Sequence, residues 1–101
     1  MSMVFVYGFN GVHSGKAEYE YRYPKKGVVH KCIMFLVQEQ SELDFELAQS
    51  EIGKFGFLEV EGLSGNQVKE ESLNSEDGQK FQPFYEEAIR EGSSLVVFSN
   101  A

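Results

Sequence analysis

At 101 residues, 42% hydrophobic and 14% aromatic, the chain has the material for one buried core and is no disordered tail. No apolar run approaches the roughly 20 residues of a membrane-spanning helix, and no basic-then-apolar leader opens the sequence, so a cytoplasmic protein is expected. Cys32 is the only cysteine, which rules out an intrachain disulfide and suits a reducing compartment.

The opening residues Met3 to Phe9 are apolar on both faces, as in a central strand covered on both sides. Residues 8–17, "GFNGVHSGKA", read as a loop with Asn10-Gly11 and Gly15 as turn residues. The next stretch alternates, with Tyr19, Tyr21 and Tyr23 on one side and Glu18, Glu20 and Arg22 on the other. That is the period of a half-buried strand, ended by Pro24. After the turn "PKKG", residues 28–38 return as a further strand, so residues 17–38 read as a hairpin.

A helix is predicted from Ser41, with Asp44 at the capping-box position and Phe45, Ala48, Ile52 and Phe55 on its apolar side; Gly56 ends it. "FLEVEG" then alternates as a strand with Leu58 and Val60 inward and Glu59 and Glu61 outward. Residues 62–80 read as a polar loop with a short edge strand at Gln67 to Glu70. Phe81, Phe84, Tyr85, Ala88 and Ile89 follow at helical spacing, with Pro83 in the first turn and Gly92 at the stop. "SSLVVFSN" closes as a buried strand. The expected fold is α+β: an antiparallel or mixed sheet of about five strands, two helices packed on one face, in the order β-β-β-α-β-α-β, as a single domain spanning residues 1–101.

Two stretches resemble reactive motifs and fall short. A phosphate-binding loop needs glycine at position 10 and a hydroxyl at position 17, where Asn10 and Ala17 stand, and the following segment has strand period. His30 and Cys32 share one strand face as a nucleophile and its base would, yet no orienting carboxylate accompanies them. His13 lies in a separate loop, too little for a metal set. No catalytic constellation, cofactor or metal site is therefore expected.

Charge carries the functional reading. Residues 1–38 hold Glu18 and Glu20 against Lys16, Arg22, Lys25, Lys26 and Lys31, whereas the other 14 of the 16 acidic residues lie in residues 39–101 beside only four cations. With a formal net charge of −7, such a field repels nucleic acid and anionic membranes and attracts basic proteins. The expectation is a non-enzymatic binding protein, monomer or homodimer, of an inhibitor or immunity type. It would occlude a basic surface such as that of a nuclease or another nucleic-acid-handling protein. Glu70, Glu71, Glu76 and Asp77, with Glu42, Asp44 and Glu46, are the candidate electrostatic contacts, and Tyr19 and Tyr21 the candidate anchors. The alternative is a small cofactor-free enzyme or ligand-binding domain with a pocket between Tyr19, Tyr21, Tyr23 and the helices, walled by His30 or Cys32. A third is a subunit of a larger assembly, marked by an exposed apolar patch or an open strand edge.

Overall fold

The computed structural model describes residues 3–69 and 76–98, the side chain of Asp77 excepted. Four strands, β1 (Met3–His13), β2 (Val29–Gln38), β3 (Phe57–Gln67) and β4 (Ser93–Val97), make one antiparallel sheet in the spatial order β3-β1-β2-β4. Helix α1 (Phe45–Lys54) precedes β3; a one-turn helix α2 (Glu76–Gln79) and helix α3 (Gln82–Glu91) precede β4. The α+β class and the antiparallel sheet stand as expected. Among the described residues the order is β-β-α-β-α-α-β, with four strands rather than five.

The missing strand is the tyrosine segment. Residues 17–24 join no ladder, and the hairpin is made by β1 and β2, paired from Met3↔Gln38 to Val12↔Val29. Alternation reported which side of the segment is apolar, and it does not require a neighbouring strand. Here the backbone is tied to the end of α1, where the Glu18 amide donates to the Lys54 carbonyl at 2.8 Å. The glycine-rich stretch behind Phe9 is strand rather than loop, since β1 runs through Gly11 to His13. Gly11 belongs there for a packing reason: a β-carbon on it would meet the Phe57 ring at 3.2 Å and the Phe9 ring at 3.4 Å, and those rings meet edge to face across it.

The two longer helices lie on opposite faces of the sheet, not on one. On the first face Phe5, Tyr7, Phe9, Cys32, Met34 and Leu36 pack with Ala48, Ile52 and Phe55 of the α1 region and with Phe57. On the second, Val4 and Phe35 pack with Ala88 of α3, and Ile33, Val37, Phe81, Phe84, Tyr85 and Val96 surround them. The reason is legible in β1 and β2, which carry apolar side chains on both sides. Each buried large side chain contributes about 1.5–3 kcal/mol relative to exposure, so both faces need a cover.

Helix boundaries follow local chemistry. The N-cap of α1 is Asp44 rather than Ser41, its Oδ1 accepting from the Leu47 amide at 3.0 Å. Phe45 stays 41% exposed beside the buried Ala48 and Ile52, edge-on to Tyr7. Gly56 and Gly92 end their helices with φ of 96° and 99°. In β3, Phe57 turns inward against His13 while Leu58 is 57% exposed, reversing its expected direction. Glu59, at φ 50°, then shifts the phase, so that Val60 packs on the first core as expected. Strand β3 itself runs on to Gln67, and α2 interrupts the expected loop. No helix among the described residues is long and apolar enough to cross a membrane.

Candidate functional site

Two places concentrate polar chemistry. The first is a buried knot around His13, which sits fully enclosed at the end of β1. Its Nδ1 accepts from the Gly15 amide at 2.9 Å, which leaves Nε2 as the ring's donor, 2.9 Å from the Phe55 carbonyl oxygen and 3.2 Å from the Tyr21 hydroxyl. Tyr21 also donates to the Phe55 carbonyl, and Tyr23 stacks on the imidazole at a 4.4 Å centroid distance. His13 therefore pins the 14–28 connection onto the end of α1. Every polar atom of that ring is engaged, so the knot is a structural device. Pattern reading missed it, because one histidine in a glycine-rich run carries no period.

His30 and Cys32 do share the first face, as their spacing requires. The Cys32 sulfur lies 3.8 Å from the backbone carbonyl of His30, not against its ring. Burial pushes the thiol up to about 12, away from the thiolate that nucleophilic chemistry needs. The His30 Nε2 donates to the Lys25 carbonyl at 3.2 Å, and its Nδ1 has no partner among the described residues. No group of three or more metal-ligating side chains occurs among the described residues.

The second place is a cleft of about 370 Å³ along the outer edge of β4. Tyr19, Glu20, Tyr21 and Phe55 form one wall, Glu87 and Glu91 of α3 the other, and Ser93, Ser94 and Leu95 the floor. Glu51 braces it from beneath. One carboxylate oxygen accepts from the Tyr19 hydroxyl at 2.8 Å and from Ser93 Oγ at 3.0 Å, and the other lies 3.3 Å from Lys54 Nζ. Burial, and then the hydrogen bond to Glu51, raise the Tyr19 hydroxyl to about 12. Burial raises the Tyr21 hydroxyl further, with Cys32 and Tyr23 adding to it. Both phenols thus remain neutral donors at physiological pH. Glu51, which reads in sequence as one more surface acid, is the residue joining α1, the tyrosine segment and β4.

The candidate contacts occupy separate places. Glu42 and Glu46 are exposed around the start of α1, and Asp44 between them is committed to the helix cap. Glu76 is exposed on α2, which leads into α3 on the opposite face from α1. Glu70, Glu71 and the side chain of Asp77 lie outside the described residues. Tyr19 and Tyr21 are half-buried against the first core, each showing one side to the cleft. Comparison with known protein families, curated proteins and solved structures finds no match to this chain.

Proposed function

We propose that this chain is a non-catalytic binding protein that docks through carboxylates on a basic protein surface. It acts as an inhibitor or immunity-type protein would on a nuclease or another nucleic-acid-handling protein. One observation carries the reading: the acidic helices are neutralised only in part by their own cations. On the helices Lys54 pairs with Glu51 and the exposed Arg90 with Glu91, both at short range in sequence. Glu42, Glu46 and Glu86 stand exposed in a chain of net charge −7. Such a surface speeds encounter with a cationic target and disfavours anionic ones.

The runner-up, a cofactor-free enzyme or ligand-binding domain, has less support. It needs a pocket between the tyrosines and the helices walled by His30 or Cys32. The cleft that reaches Tyr19 and Tyr21 is lined by neither.

The test is affinity capture from the native host with the intact chain, washed at low and high salt, beside a Glu42→Lys/Glu46→Lys/Glu86→Lys variant. A basic partner held at low salt, released at high salt and lost by the variant supports the reading. Capture of no basic protein, or capture indifferent to salt and to charge reversal, refutes it.

A further inference from the structure

We propose that the outer edge of β4 receives an extended basic segment of the protein partner, which joins the sheet as a fifth strand. This rests on the docking function proposed above and gives it a place and a mode. The Val37 amide donates to the Gly92 carbonyl at 2.9 Å, and the Phe98 amide to the Lys31 carbonyl at 2.9 Å. These pairs fix the phase of the β2–β4 ladder: Gly92, Ser94, Val96 and Phe98 turn their backbone groups toward β2. The amides and carbonyls of Ser93, Leu95 and Val97 therefore point away from the sheet, and no strand covers them among the described residues.

An open edge is normally blunted by charge, proline or a bulge. The other edge strand, β3, has two register irregularities and carries Glu59 and Glu61. β4 has none of these devices: "SSLVV" is uncharged and pairs with β2 in unbroken register. Its first three residues, Ser93 to Leu95, form the floor of the cleft, and carboxylates stand on both walls, Glu20 on one and Glu87 with Glu91, the latter paired with the exposed Arg90, on the other. A strand laid on this floor sends alternate side chains to opposite walls. Lysines or arginines on either side of it would meet a carboxylate. Charge selects the occupant: a second copy of this chain would bring its own Glu20, Glu87 and Glu91 against the same groups.

The experiment titrates the intact isotope-labelled chain with the synthetic peptide Lys-Val-Lys-Thr-Lys-Val-Lys-Thr at low salt. Two controls accompany it, one with glutamate for lysine and one N-methylated at every residue. Binding of the lysine peptide should slow hydrogen exchange at the Ser93, Leu95 and Val97 amides by about tenfold or more. The N-methylated peptide keeps the charge but cannot form a ladder, and should bind at least about tenfold more weakly. The Glu87→Lys/Glu91→Lys variant should lose the lysine peptide and gain the glutamate one. Equal affinity for the methylated peptide, or binding without protection of those three amides, overturns strand addition and leaves charge-driven docking intact. No binding of the lysine peptide also overturns it. The docking reading itself falls only if the capture experiment fails as well.

Discussion

His13 shows how much of this fold hangs on single polar groups. Replacing it with leucine keeps the bulk but leaves the Gly15 amide without its acceptor, while the Phe55 carbonyl loses one of two donors and keeps the Tyr21 hydroxyl. An unpaired backbone group of this kind costs about 1–3 kcal/mol, so His13→Leu should lower stability by about that much in urea unfolding. A loss under about 1 kcal/mol would show that water replaces the ring easily and that the knot does not hold the 14–28 connection. Cys32 gives a complementary expectation. Its thiol is fully buried and pushed up to about 12, so iodoacetamide at neutral pH should leave the native chain unmodified and alkylate it once urea unfolds it. Rapid alkylation of the native chain would mean that the first core opens readily.

At the level of the element, the two helix-ending glycines make a matched pair with unequal surroundings. Both have a left-handed φ, which costs an alanine about 1–2 kcal/mol. Around Gly92 a β-carbon meets nothing within 4 Å, whereas at Gly56 it would stand 2.1 Å from the Lys16 carbonyl oxygen. Gly92→Ala should therefore cost about 1 kcal/mol and Gly56→Ala about 3 kcal/mol, the extra loss being displacement of the 14–28 connection. Equal costs would show that Lys16 moves aside freely.

Elements with a strong period were legible from sequence: the start of β1, all of β2, α1 with Ala48 and Ile52 inward, α3, and both glycine stops. Failures came where a period was present but a different interaction decided. Tyr19 and Tyr21 alternate like a strand, yet their hydroxyls are bound by Glu51 and the Phe55 carbonyl, which lie far along the sequence. Leu58 alternates with Val60, but Glu59 shifts the phase between them. Gly11 looks like a turn residue until the rings that cross it are known. The candidate site was half legible. Composition located the negative charge, but the bare edge of β4 depends on strand order, which no local pattern encodes.

For the molecule as a whole, buried acids set an alkaline limit. The Cys32 thiol and the Tyr19 hydroxyl are both raised to about 12, and the Tyr21 hydroxyl is raised as well. Each holds its proton longer folded than unfolded, so this stability is fully present below the unfolded values of about 9–10 and is lost as pH climbs toward 12. Urea midpoints should fall across that window, and tyrosinate absorbance should lag the free amino acid until unfolding. A midpoint unchanged to pH 12 would mean that these groups ionise without opening the core.

The position of β4 also bears on how the chain is made. Strand β2, one of the most apolar stretches of the protein, has β1 on one side and only the late residues 93–97 on the other. On the ribosome, β1, β2, α1 and β3 can assemble while α3 and β4 are still to come. For that interval one edge of β2 and the whole second face of the sheet lie bare. A nascent chain that lacks α3 and β4 is thus a natural client for chaperones, and the arrival of β4 closes the edge that α3 leaves open.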